Sequence, residues 1–246
     1  MNPADRQQFH YRRPDKYPVR LIWSGNQLTI DCCLRFNNRA LRTGPASDPG
    51  RTYAELISEG IERHWSGHYD LGSPEKPDPV TIAVVIHTEL KRRHISVRVH
   101  PMLFMPAHVI SPIYRRIWGI FRTGQIESLG LNWSPQHPGA IIMPPYGQAS
   151  LVENVAAHEM GHVLGIGDAY GAIYRFYCAA PGTQAYMMHS NRQVQPEEIR
   201  MMLLAHTSGR MQFFPKTWDT RQFVHGLRQE AKRMAQRIRQ RLRRKR

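Results

Sequence analysis

"HEMGHVLGIGDAY", residues 158–170, reads as the end of a helix, a sharp turn and the loop beyond it. His158 and His162 are four residues apart, so on a helix both imidazoles lie on one face, one turn apart, and can reach one metal ion. Zinc suits two imidazole nitrogens at about 2.0–2.1 Å together with a further oxygen or nitrogen ligand. Glu159 stands beside that ion without needing to bind it. A carboxylate in this place can take a proton from metal-bound water and later deliver it to a leaving amine. Gly165 accepts the left-handed conformation with which such a helix ends and turns. The turn brings Asp168, three residues on, back toward the metal as a third ligand. The residues alone leave Glu197, Glu198 and His189 open as other third ligands, with Asp168 then a loop-capping residue.

Working outward, Ser150 followed by Glu153 fits a capping box at the start of the helix, and Val152, Val155, Ala156, Val163 and Leu164 give it an apolar face. Before it, "GAIIM" (139–143) is a short apolar strand stopped by Pro144 and Pro145. "PVTIAVVIHTEL" (79–90) and "HISVRVHP" (94–101) are strands, as are two short runs within 18–36. "TYAELISEGIERHW" (52–65) places Tyr53, Leu56, Ile57, Ile61 and Trp65 at helical spacing. A partly helical segment is expected near 112–122. Strands mixed with two long helices predict an α/β or α+β sandwich built on a mixed sheet.

Composition bounds the alternatives. The chain has 246 residues and 41% hydrophobic content, enough to bury a real core. No apolar run approaches membrane-spanning length, and the first twenty residues lack the apolar core of a signal peptide. Synthesis in the cytoplasm without a cleaved leader is therefore expected, and secretion or delivery to a target cell would need another route. Three cysteines make neither a disulfide framework nor a cysteine-rich metal site; Cys32 and Cys33 read as buried apolar residues, with a bridge from Cys178 left open. The formal charge of +15 is uneven: residues 221–246 hold 11 Lys/Arg and one acid, the preceding 220 residues 23 and 18. This divides the chain into a body, 1–216, and a basic tail, 217–246, in which Phe223, Leu227, Ala231, Met234, Ile238 and Leu242 recur as on an amphipathic helix.

The spaced residues His158, Glu159, His162, Gly165 and Asp168 resemble the extended zinc motif of the metzincin metallopeptidases. Most members carry histidine at the last position, and snapalysin-like members carry aspartate. The resemblance covers roughly residues 18–210, with specific motifs only in 158–190. It implies a mixed twisted sheet with two long helices and a zinc cleft, His158, His162 and Asp168 as metal ligands, and Glu159 as general base. A methionine turn beneath the metal is implied at "AYMMHSN" (185–191), on Met188, with Met187 next. Ser190 stands where some metzincins have a tyrosine, so no tyrosine is carried over from that position; Tyr170 and Tyr186 are nearby. By its place in the chain, the strand Ala140, Ile141, Ile142, Met143 resembles the family's edge strand on the upper rim of the cleft, where an extended peptide would add as one more strand. The segment after Ser190 also resembles the end of metallopeptidase domains found as bacterial toxin or effector modules, which would bring a neutralising immunity protein as partner.

The expected activity is zinc-dependent hydrolysis of protein or peptide substrates. The rival reading is a basic protein binding an anionic surface or nucleic acid, with a structural or degenerate metal site. Glu159 separates the two, since a structural site needs no general base. The tail's mundane role is a helix docked on the body; its sharper role is an anionic partner.

Overall fold

The computed structural model describes residues 16–73, 75–88, 92–101, 106–115, 131–170, 178–221, 223–226, 228 and 232. The chain is a mixed α/β protein with a seven-stranded mixed sheet. Its elements run β1 (Val19–Ser24), β2 (Gln27–Phe36), α1 (Asn38–Arg42), α2 (Tyr53–Trp65), β3 (Gly67–Asp70), β4 (Pro79–His87), β5 (Ile95–Val99), β6 (His108–Ile110), β7 (Ala140–Met143), α3 (Ala149–Val163), α4 (Met187–Ser190) and α5 (Pro196–Ser208).

The sheet order is β3-β4-β2-β5-β7-β6, with β1 also paired to β2. β2 is long enough to serve two neighbourhoods: Gln27–Cys33 pairs in parallel with β4, and Leu34–Phe36 in parallel with β5. Strand alternation puts Leu28, Ile30, Cys32 and Leu34 on one face, in register with Ile82 and Val84 of β4 and Ile95 of β5. All of these are buried, together with Val97, Val99, Ile141 and Met143 farther along the sheet. Helices α2 and α3 pack on that face and on each other.

α2 starts at a reciprocal cap: Thr52 accepts from Glu55 N–H, and the Glu55 carboxylate accepts from Thr52 N–H. Its apolar stripe, Tyr53, Leu56, Ile57, Ile61 and Trp65, is buried as its spacing predicts. The start of α3 differs from expectation. Ser150 lies inside the first turn, and Ser47, from a loop 102 residues earlier, accepts from Ala149 N–H at 2.8 Å. Glu153 is buried and takes Arg63 at 2.6 Å instead of capping the helix.

The expectation that Ala140–Met143 forms a sheet edge is corrected. β7 is paired on both sides, with β5 in parallel (Val97↔Ile141, Val99↔Met143) and with β6 antiparallel (His108↔Ile142, Ile110↔Ala140). Ile141 and Ile142 have a partner on each side, while Ala140 pairs with Ile110 and Met143 with Val99, so the strand is not the sheet's edge. The edge on this side is β6.

Cys32 and Cys33 are buried, and neither they nor Cys178 form a disulfide. No described helix is long and apolar enough to cross a membrane. Of the expected helix near 112–122, residues 113–115 are helical and 116–122 lie outside the described residues. In the tail, every described residue from 220 onward is helical; Leu227, Ala231, Met234, Ile238 and Leu242 fall outside the description.

Candidate metal centre

The site is built by the end of α3. Leu164 caps the helix, Gly165 adopts φ +92°, Ile166 N–H reaches back to the Gly161 carbonyl at 3.0 Å, and Gly165 N–H reaches the His162 carbonyl at 3.0 Å. These are the two bonds of a Schellman ending, which needs a left-handed residue at the position Gly165 holds. A Cβ there would also meet Ala205 Cβ at 2.7 Å and Trp133 at 2.8 Å. The ending returns the Ile166 carbonyl over His162, whose Nδ1–H donates to it at 2.9 Å.

His158 is oriented from a different element. Its Nδ1–H donates to the Met187 carbonyl at 2.9 Å. A carbonyl can only accept, so in both rings Nδ1 carries the hydrogen and Nε2 is the atom presented inward. Asp168 Oδ1 lies 3.1 Å from His158 Nε2 and 3.3 Å from His162 Nε2. The Asp168 loop is pinned by its neighbour, whose N–H donates to the Met188 carbonyl at 2.8 Å. The three ligand atoms lie within 4.8 Å of one another, and among the described residues no other group of His, Cys, Asp or Glu gathers in this way. Two imidazoles and a carboxylate make a donor set that could hold a divalent metal ion, zinc among others.

Electrostatics tie the three together. Burial disfavours charge on both histidines, but the Asp168 carboxylate outweighs it; His158 is shifted upward and His162 is pushed up to about 9. Burial would raise Asp168, yet the two imidazoles hold its carboxyl far below the usual carboxylate range. A metal ion entering this set therefore competes with protons shared among the three side chains.

Glu159 is 4% exposed, its Oε2 is buried, and no hydrogen-bond partner for that oxygen exists among the described residues. Burial pushes its pKa up, and the imidazoles of His162 and His158 pull the other way. A buried carboxylate oxygen without a partner is costly unless it has work to do.

Beneath the helix, Met188 is fully buried. A Cβ on Gly161 would meet Met188 Sδ at 2.1 Å, so the absence of a side chain between the two histidines is what lets the thioether sit against the helix. α4 has no side-chain cap of its own; Glu198 supplies one from α5. Its carboxylate accepts from Met188 N–H at 2.7 Å, Met187 N–H at 3.3 Å and Gln195 N–H at 2.8 Å, and the residue is fully buried.

The other third-ligand candidates are thereby placed elsewhere. Glu198 is occupied with main-chain N–H groups, Glu197 pairs with Arg200 at 3.3 Å, and His189 Nδ1 sits 2.9 Å from Thr183 Oγ1. Tyr170 stacks on His158 with ring centroids 5.9 Å apart, and its pKa is raised by burial and by Asp168 and Glu159. Tyr186 packs edge-on against Phe214. Ser190 donates to the Gln184 carbonyl at 2.6 Å.

Sequence reasoning missed the roles of Glu198, Ser47, Trp65 and Trp133. Trp65 Nε1–H donates to the Ala157 carbonyl and Trp133 Nε1–H to the Val163 carbonyl, both at 2.8 Å, so indoles clamp α3 just before His158 and just after His162. The Ser-x-x-Glu pattern at 195–198 is absent because Gln195 stands at the cap, which hid the second, reciprocal cap that Glu198 forms there.

A scan against protein-family models finds no matching model, and searches of the curated proteins and of the solved structures return no match.

Proposed function

We propose that this chain is a zinc-dependent endopeptidase of the metzincin type, with His158, His162 and Asp168 holding the ion and Glu159 acting as general base. The observation that carries the reading is the buried, unpartnered Oε2 of Glu159 beside three converging ligand atoms. A closed structural zinc site has four protein ligands and no use for such an oxygen. The order β2, α2, β4, β5, β6, β7, α3, followed by a buried methionine against the site helix, supports the same family.

His158, His162 and Asp168 would hold a divalent ion, which would supply Lewis acidity and lower the pKa of water bound to it. Glu159 Oε2 would accept the proton from attacking water and pass it to the departing amine; burial raises the proton affinity of this carboxyl, which suits a group that takes up a proton and returns it. His158 and His162 keep fixed tautomers through Met187 and Ile166, which holds the reacting centre in one geometry. The outer edge of β6 then replaces β7 as the strand an extended peptide would extend. His108 on β6 is close enough to act electrostatically on Glu159.

The test is Glu159→Gln, which keeps size and removes the base. It should hold zinc as the parent does while casein or fluorogenic-peptide cleavage falls about a hundredfold or more, within the range expected for general acid–base catalysis. If the glutamine variant cuts peptides at the parental rate, the assignment fails.

A further inference from the structure

A concavity of about 520 Å³ lies away from the metal centre, on the sheet face opposite α2 and α3, and its walls include Arg35, Phe36, Asn37, His94, Ser96 and Arg98. Strand alternation places Arg35, Ser96 and Arg98 there: their neighbours Leu34, Ile95, Val97 and Val99 are buried in the core. Arg35 is directly opposite Ser96 in the β2–β5 register, and Arg98 follows two residues along β5. Arg98 Nε–H donates to Ser96 Oγ at 3.3 Å, which leaves both terminal guanidinium nitrogens for another partner. Arg35 has no hydrogen-bond or ion-pair partner among the described residues.

No acid lines this cleft. Asp31, an acid on the same face, is already engaged by Arg20 and by Arg92 at 2.7 Å. Asn37 cannot serve as a swinging ligand, because its amide exchanges hydrogen bonds with Val99 N–H and C=O at 3.2 and 3.1 Å. It forms a fixed floor instead. Two guanidinium groups gathered on neighbouring strands repel unless an anion lies between them. Guanidinium forks match the oxygens of phosphate in bidentate fashion, and the volume is within the range of about 300–1,000 Å³ typical of small-molecule pockets.

We infer that this cleft binds the phosphate of a small phosphate ester, gripped by Arg35 and Arg98, with the carrier against His94, which shares their face of β5. The inference is independent of the peptidase reading and survives its failure.

Calorimetric titration of the full chain, without added zinc, with inorganic phosphate and with adenosine monophosphate, at one fixed chloride concentration, tests it. Both should bind saturably, the nucleotide more tightly. Arg35→Ala/Arg98→Ala should weaken both by tenfold or more. Arg210→Ala, a change at an exposed position outside the cleft, should leave them unchanged. Arg35→Lys/Arg98→Lys should fall between, since charge remains and the fork is lost. Unsaturable binding, a double-alanine variant with parental affinity, or equal loss in Arg210→Ala would each overturn the inference. A single-stranded oligonucleotide that binds equally to parent and double-alanine variant, while adenosine monophosphate binds neither, would move phosphate recognition to another surface and overturn it too.

Discussion

Two aspartates in this molecule are each surrounded by basic side chains, and they do opposite things. Asp31, on β2, is 7% exposed and is held by Arg20 on one oxygen and Arg92 on the other, with His87 Nε2 at 3.5 Å. Arginine stays charged and its fork leaves the carboxylate satisfied, so this cluster is closed and structural. Asp168 meets two histidines through one oxygen, at 3.1 and 3.3 Å, and each histidine is locked by its far nitrogen onto a main-chain carbonyl. Those contacts are exchangeable: an ion can replace the shared protons without moving a ring. What separates a strut from a candidate metal centre is therefore not an acid among bases but where the second nitrogen of each base is spent.

Removing either carboxylate breaks the comparison open. Asp168→Ala should lose most bound zinc on elemental analysis while remaining folded. Asp31→Ala should keep the metal and lose about 2–4 kcal/mol of stability in urea unfolding, because the partly buried arginines are left facing each other. Full zinc occupancy in Asp168→Ala would remove it from the ligand set; a fall in zinc binding with unchanged stability in Asp31→Ala would reverse the two roles.

The next effect is smaller and tests the support behind His158. Glu198→Ala frees Met187 and Met188 N–H and loosens the carbonyl that orients the imidazole. Zinc affinity in a chelator competition should fall by about 10–100-fold, the usual cost of losing an outer support of a ligand. Parental affinity in a correctly folded variant would confine Glu198 to capping α4 and α5.

A third buried ionisable group sharpens the contrast, because burial is what moves its pKa. His206 packs edge-on against Trp133, with ring centroids 5.4 Å apart, and burial lowers its pKa to about 3. The folded state thus binds this proton less readily than the unfolded chain, where histidine titrates near 6.5. Its contribution is present above that value and is lost as pH falls from about 6.5 toward 3. His206→Gln should flatten this part of the stability profile; an equally steep acid limb in the variant would place the dependence elsewhere.

Much of the centre was legible in thirteen residues, since helix periodicity fixes how His158 and His162 face and only a left-handed residue suits the turn at Gly165. The sheet was less so. "AIIM" alternates in the same way whether it is an edge or an interior strand, because pairing depends on where the chain travels next. Its outer neighbour β6 is only three residues long, too short for any periodic signal. The caps failed for a related reason: Ser47 and Glu198 act on partners distant in sequence or across a turn, where no local pattern records them. Arg35 and Ser96 likewise become neighbours only through the parallel pairing of β2 with β5.

The indole clamps on α3 make the protein its own instrument. Trp65 and Trp133 are both almost wholly shielded from solvent, and each reads the main chain within one residue of a histidine of the candidate metal centre. Any fraying of that helix releases an indole N–H from a carbonyl and exposes a chromophore. Emission from these rings should then redden, so that ion loading and the loss of helical order can be followed by light, in real time, without a substrate.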